Sequence, residues 1–499
     1  MSATLLFSLV ILYFLVLLVV AWYTSRNSNN DSFFIGNRNS NWMLVAFGMI
    51  GTSLSGVTFV SVPGTVGAAG FGYFQVVIGY FIGYFIVAFI LLPLYYRLNL
   101  TSIYHYLDQR FGIVAYKTGS LFFILSRTLG ATARLYLVIN VLQLFILDNL
   151  NIPFWLTTFV ILLMILLYTF EGGVKTIVFT DTLQTTFMLL GLIVCVIYIM
   201  QAMGLSFGDT IQSMHDKGYT KMFNTDGKSA GFWLKQIIGG AFITVGMTGL
   251  DQEMMQKNIS VKNLKDSQKN MITFSTIMVL VNLLFLFLGG LLYLFEATRS
   301  VNVRGDDLFP TVALNYLPPA ISVIFIIGLI SALFPSADGA LTALTSSFCI
   351  DMLGLKRKEN LSEQQRKRTR MKVHLTFTVI FFLCVMIFKL IDNKSIIGII
   401  LTIAGYTYGP LLGLFTFGIF TKRLVKQGYA TLAVALIAPV VCYLLSIYVP
   451  VWFNGFQIGI ELLILNGLLT FIGLWLISKP GENVQLRTKD HLSVKKAAI

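Results

Sequence analysis

The sequence predicts an all-α polytopic membrane protein with about thirteen spanning helices. Composition is the first reason. Of 499 residues, 56% are hydrophobic and only 12% charged, and the mean hydropathy is +0.79. Soluble domains carry about a quarter charged residues. Segmentation is the second. The apolar residues gather into stretches near 5–22, 42–67, 71–96, 118–147, 153–170, 176–203, 231–250, 271–295, 320–350, 373–392, 395–420, 427–449 and 457–478. Roughly 20 such residues cross a bilayer core as helix. The third is that several of these stretches carry glycine, proline and hydroxyls at mid-depth. Broken helix inside a membrane is tolerated only where protein or a wet cavity surrounds it.

The first stretch, 5–22, ends in polar Ser25–Asn30 with no small-residue cleavage site, so it reads as a retained helix rather than a signal peptide. With the N-terminus outside, most Lys and Arg lie on the cytoplasmic side. These include Arg26, Arg38, Arg97, Arg110, Lys117, the run from Lys356 to Lys372 and the tail after Ser478. That asymmetry is the positive-inside rule. It explains the net charge of +14 without a nucleic-acid partner. The expected surroundings are a lipid bilayer, the inner membrane of a cell, with the C-terminus cytoplasmic.

The second stretch is the most irregular. Phe47–Gly67 contains Gly48, Gly51, Gly56, Gly64, Gly67 and Pro63, with hydroxyls at Thr52, Ser53, Ser55, Thr58 and Ser61. A helix interrupted at mid-membrane exposes carbonyls and helix ends that hold a cation or an anionic solute. The structural alternative is a helix using small residues for close packing. In the third stretch Gln75 lies about a turn inside the membrane, where it either lines a cavity or faces the interface.

The fourth stretch holds Arg127 and Arg134. Seven residues are nearly two turns, so both lie on one face about 10 Å apart. Arg127, nearer the cytoplasm, is placed to pair with a carboxylate there. Arg134 is deeper and is the candidate for an anionic group, because a guanidinium meets a carboxylate with two parallel hydrogen bonds. The alternative is a buried arginine satisfied by helix-end carbonyls. In Glu171–Gln184 two glycines mark a turn and a helix restarts, with Asp181 one or two turns inside. An acid at that depth needs a cation: sodium, a hard ion seeking oxygens, or an arginine in a salt bridge.

Residues 204–228 are polar and read as extracellular. Gly231–Leu250 has the look of a second interrupted helix, with Gly239, Gly240, Gly246 and Gly249 beside Thr244 and Thr248. In Ser331–Asp351, Asp338, Thr342 and Thr345 share one helical face, a plausible cation stripe. The cysteines Cys195, Cys349, Cys384 and Cys442 all fall in apolar segments and read as small buried side chains. Four scattered histidines, no HExxH and no GxxxxGK[ST] loop leave no catalytic cluster, no resident cofactor and no ATP-driven pump. An enzyme and a channel are thereby the weaker classes. Polar residues dispersed over several broken helices favour a carrier.

These pieces together resemble the sodium/solute symporter family, which includes carriers of proline, galactose, sialic acid, pantothenate, glucose and iodide. The resemblance rests on GTSLSGVTF (51–59), EGGVKTIVFTDTLQ (171–184), TGLDQEMMQKN (248–258), GDDLFPTVALNYLP (305–318), the Ser331–Asp351 helix and GYTYGPLLGLFTFGIFTKR (405–423). It implies one transport domain over 1–499; a monomer is the expected functional unit, and the sequence leaves the oligomeric state open. Within it, 5–22 is an extra helix and 42–420 a ten-helix core of two inverted five-helix repeats, LeuT-like. Two peripheral helices at 427–478 and a cytoplasmic tail at 479–499 complete the chain. The broken helices are then the second and seventh spans.

Carried over by position, the resemblance implies a main sodium site at the backbone oxygens of Gly51, Leu54 and Ala332 with two hydroxyls, at Pro335 and Ser336. Pro335 departs from the pattern. A second sodium site, known in some members, falls on Asp181, Asp338 and Gly339, where a carboxylate and a glycine replace hydroxyl residues. Ion stoichiometry is left open, and so is a shared proton, because close carboxylates raise one another's pKa. For the small organic solute, Ser55 and Thr58 match hydroxyls that sialic acid carriers place against a carboxylate, and Arg134 lies near their carboxylate-binding arginine. The sugar carriers' polar positions fall on Ser53, Thr58, Thr244 and Met247. An acidic solute is the first reading and a neutral sugar or amino acid the second, with Ser53, Ser55, Thr58, Gln75, Arg134 and Thr244 as candidate contacts.

Overall fold

The computed structural model describes residues 3–25, 33–34, 38–299, 302–358, 360–391, 396–425 and 428–480. Arg26, most of the loop following it and the tail expected from 479 onward, apart from its first two residues, lie outside that set. Among the described residues the regular structure is helical apart from one two-residue ladder, in which Leu424 pairs with Lys479 and Val425 with Ser478, and an isolated bridge between Ser40 and Val261.

The helices that build the molecule are α1 (Ala3–Ser25), α2 (Trp42–Leu54), α3 (Gly56–Ala69), α4 (Tyr73–Ile86), α5 (Ile113–Leu142), α6 (Phe154–Met203) and α7 (Trp233–Thr244). They continue with α8 (Gln252–Ile259), α9 (Leu264–Arg299), α10 (Pro319–Ser347), α11 (Glu363–Ile391), α12 (Ile396–Phe420), α13 (Ala430–Trp452) and α14 (Leu462–Leu476). Among the described residues eight helical stretches are long and apolar enough to cross a membrane, and four shorter apolar helices, 10–17 residues long, accompany them. The polar 204–228 segment contains a further helix, Phe207–Asp216. Ser206 starts it with a reciprocal capping box to Asp209.

Each expected irregularity has a local cause. Asn41 caps α2 by accepting from the Met43 N–H, and the helix runs only to Leu54. Ser55 leaves helical geometry (φ 12°, ψ 169°), and α3 restarts at once, with the Phe59 N–H bonded to the Ser55 carbonyl. A side chain at Gly56 would strike Val138, so the break lies directly against α5. The two spans expected at 153–170 and 176–203 form one 50-residue element kinked at Gly173, whose φ of 55° is left-handed and whose missing side chain leaves room for Phe33.

The seventh span is interrupted as well. After α7, residues Val245–Gly249 form a π turn, Leu250 and Asp251 depart from helix, and α8 begins under an Asp251 cap that accepts from the Glu253 and Met254 N–H groups. Carbonyls freed there are taken up by tyrosines: Tyr95 Oη donates to Gly249 O at 2.7 Å and Tyr104 Oη to Leu250 O at 2.8 Å. Unsatisfied backbone costs several kcal/mol in hydrocarbon, so these two phenols stabilise the break.

Packing and solvent agree with a bilayer. Gly79 and Gly83 let α4 touch the backbone of α7 at Ile237 and Ala241, the small-residue contact typical of membrane helices. Leu383, Ile387 and Leu390 on α11 and Ile437, Val440 and Val451 on α13 face outward. Buried instead are polar groups such as Asp181, Asp251, Glu253, Lys257 and Asp338, which need partners or function. Three of the four cysteines are buried and Cys384 is half-buried; all four are free.

Candidate functional site

The break at Ser55 opens into a cavity of about 100 Å³. Five of the six residues expected to meet the solute line it: Ser53, Ser55, Thr58, Arg134 and Thr244. Gln75 does not. Its Nε2 donates to the Gly72 carbonyl at 2.9 Å, and its Oε1 accepts from the Asn224 N–H at 3.1 Å, tying α4 to the 204–228 segment. Proximity to the end of the span decides this, since Gly72 and Asn224 offer partners that mid-membrane residues lack.

Helix ends set the electrostatics of this cavity. The last carbonyls of α2 and the first N–H groups of α3 have no partners within their own helices. The C-terminus of α2 is therefore polarised negative and the N-terminus of α3 positive. The break thus presents opposite polarities on the two sides of one residue.

The two arginines of α5 differ. Arg127 pairs with the Glu253 carboxylate and stands 3.8 Å from Asp251 Oδ2; Asp251 is also bonded by Tyr408 Oη. Arg134 lines the cavity and, among the described residues, has no ion pair and no hydrogen bond. A half-buried guanidinium facing a cavity with its donors unused has the chemistry to receive a carboxylate in two parallel hydrogen bonds.

The cavity also has residues the sequence reading did not single out. Tyr73, Tyr80 and Tyr84 line it. Their spacing of seven and four is a helical stripe, a signal available in YFQVVIGYFIGY. Tyr73 and Tyr80 hydroxyls lie 3.4 Å apart. Asn282 lines it too, with Nδ2 on the Met278 carbonyl at 2.8 Å; a lone amide within an apolar span marks a polar interior.

The positions expected to hold sodium are all buried. Gly51 faces α6 and α10: a side chain there would run into Thr185 Oγ1 and lie 3.4 Å from the Pro335 ring. Leu54 ends α2, and Ala332 and Ser336 sit in the middle of α10. The Ser336 hydroxyl donates to the Leu333 carbonyl at 2.9 Å, which keeps its lone pairs available to a cation. Pro335 supplies no hydroxyl, but it has no N–H to give the carbonyl four residues earlier, at Ser331, and so frees a backbone oxygen beside Ala332.

The two acids are differently engaged. Asp181 Oδ2 accepts from Lys257 Nζ at 2.6 Å and from Thr52 Oγ1 at 3.2 Å. Asp338 accepts from Tyr168 Oη at 2.7 Å. On the same face of α10, Thr345 bonds His374 Nδ1 at 2.8 Å, while the buried Thr342 hydroxyl has no partner among the described residues. Lys257 is another residue that the sequence did not single out; it sits past the second break, in α8.

A bundle with two interrupted helices, a cavity and buried ionic groups has the architecture expected of a LeuT-like fold. The sequence pattern of the Sodium:solute symporter family matches residues 33–436, and the chain belongs to that family. It is 24% identical over 472 residues to the sodium/sialic acid symporter NanT of Aliivibrio fischeri, covering 91% of this chain and 90% of that one. It is 23% identical to the sodium/sialic acid symporter SiaT of Proteus mirabilis, covering 82% and 83%. The sodium/glucose cotransporter 1 of Oryctolagus cuniculus is 22% identical, covering 84% and 69%. The fold matches a solved outward-open, substrate-bound Na+-coupled sialic acid symporter with a TM-score of 0.82 at 20% identity, over 95% of this chain and 99% of that one.

Proposed function

We propose that the protein imports a small carboxylate-bearing solute, a sialic acid or a related acidic sugar, together with sodium by alternating access. The single observation that carries the acidic solute is Arg134, a cavity guanidinium without a protein partner among the described residues. Ser55 and Thr58 at the start of α3 add hydroxyls, and the α3 N-terminus adds positive polarity. Ser53 and Thr244 complete the contacts. The relatives named as sodium/sialic acid symporters agree with this choice.

Sodium is proposed to bind between α2 and α10, at the Gly51, Leu54 and Ala332 carbonyls and the Ser336 hydroxyl. Bound there, it joins the end of α2 to α10 and fixes the Ser53–Thr58 segment for the solute. The ion shifts the conformational equilibrium only by binding one state better than the other. The bilayer is proposed to be the inner membrane, with the N-terminus outside and the C-terminus cytoplasmic. The chain is read as a monomeric transport domain whose ten-helix core spans 42–420.

The test is a thermal-shift screen of purified protein against acids, sugars and amino acids, with sodium or choline as the cation. The expected result is stabilisation by an acidic sugar that depends on sodium. Stabilisation by neutral sugars or amino acids, with no response to carboxylates, would reject the acidic solute.

A further inference from the structure

We infer that the Lys257 ammonium is a built-in cation standing where a second coupling sodium would bind, so the locus at Asp181 and Asp338 takes no sodium from solution. This rests on the sodium symport proposed above, with its ion at Gly51, Leu54, Ala332 and Ser336.

Of the three positions that a second sodium would need, Asp181 holds the Lys257 ammonium through Oδ2 while its Oδ1 has no hydrogen-bond partner among the described residues, Asp338 holds Tyr168, and Gly339 brings no side-chain ligand. Lys257 Nζ lies 2.6 Å from Asp181 Oδ2 and 2.6 Å from Thr52 Oγ1, while those two oxygens are 3.2 Å apart. A hard cation holds oxygens at about 2.3–2.6 Å when it is calcium-sized. A sodium bridging the same carboxylate and hydroxyl from this side would therefore coincide with Nζ. Asp338 accepts from Tyr168 Oη and from its neighbour's N–H at Gly339. At Gly339 any side chain would collide with the Glu253 carboxylate. The glycine thus admits an acid from α8 where a hydroxyl ligand would otherwise stand. Glu253 is itself 3.9 Å from Lys257 and paired to Arg127.

Burial makes this ammonium a permanent occupant. The Lys257 and Asp181 side chains are 3% and 0% exposed, so water does little to screen the pair. Separating them leaves an uncompensated charge in the interior. An ammonium and a sodium ion carry the same charge and seek the same oxygens. They differ in that Lys257 is tethered to α8 and cannot leave with the solute. The charge at Asp181 then stays on the protein through the cycle, and the ion coupled to transport is the one at Ser336.

Equilibrium binding of radioactive sodium to the purified full chain tests this. The wild type is expected to hold about one ion per chain, and Ser336→Ala to lose it at the same sodium concentration. Asp181→Asn is expected to keep the ion with its affinity changed less than about threefold. Removing the ammonium in Lys257→Ala frees Asp181 and Thr52, and binding is expected to rise to about two. Two ions on the wild type, a tenfold loss of affinity in Asp181→Asn, or no gain in a folded Lys257→Ala protein overturns the inference. The wild-type and Asp181→Asn measurements decide it even if Lys257→Ala does not fold. Absence of any bound sodium on the wild type instead overturns the underlying symport site.

Discussion

Replacing Arg134 by alanine removes the one unengaged cavity cation among the described residues, and the cost is calculable. A guanidinium bonded to a carboxylate in a desolvated pocket is worth about 2–4 kcal/mol on truncation of one partner. At about 1.4 kcal/mol per decade, that weakens binding of an acidic solute roughly 30- to 700-fold. Arg134→Lys keeps the charge and loses the bidentate fork, so a smaller loss is expected, about 1–2 kcal/mol or roughly 5- to 30-fold. The protein's own stability should not suffer, because among the described residues no carboxylate is left unpaired when Arg134 goes. Isothermal titration with the acid and with its neutral amide, in sodium, separates the effects. The acid should lose affinity in Arg134→Ala and the amide should not. Wild-type affinity for the acid in Arg134→Ala would refute the assignment.

Other outcomes follow from the same contacts. Arg127→Ala leaves Glu253 with only Lys257, at 3.9 Å, as an ionic partner, and breaking such a buried pair costs about 3–5 kcal/mol; the detergent-solubilised protein should melt markedly earlier, with part of the loss recovered in an Arg127→Met, Glu253→Gln double variant. Ser336→Ala removes a charge-assisted contact of about 1.5–3 kcal/mol and should raise the sodium concentration for half-maximal uptake roughly 10- to 150-fold; an unchanged sodium curve contradicts the site. Gly79→Ala places a methyl against the Ile237 carbonyl on α7, so it should destabilise by about 1–3 kcal/mol, read as a lower melting temperature with solute selectivity retained.

Much of the fold was legible because lipid leaves backbone few choices. The Ser55 break follows from glycine and hydroxyls in a segment otherwise apolar enough to span, and the kink at Gly173 follows from the Gly172–Gly173 pair before a restarting helix. The second break, at Val245–Asp251, was signalled by Gly246 and Gly249. Arg127 pairing with a carboxylate was expected from depth alone; which carboxylate was not, since Glu253 and Asp251 lie on the far side of a π turn that no periodicity reveals. Lys257 escaped notice for a similar reason. It is 76 residues from Asp181 in sequence, and a basic residue near a span's cytoplasmic end ordinarily reads as a topology signal. Gln75 could be read as lining a cavity or as facing the interface; it stays outside the cavity because the loop at Asn224 folds back to meet it. Partners across helices are fixed by packing angles, which the pattern of one segment does not encode.

The most direct test of the coupling claim is simultaneous measurement of labelled sodium and labelled acidic sugar entering sealed proteoliposomes. An inward sodium gradient should drive the sugar above its external concentration, the two should enter in a fixed ratio near one, and Ser336→Ala should abolish both fluxes at low sodium. Sugar accumulation without sodium entry, or sodium entry that ignores the sugar, would contradict the account.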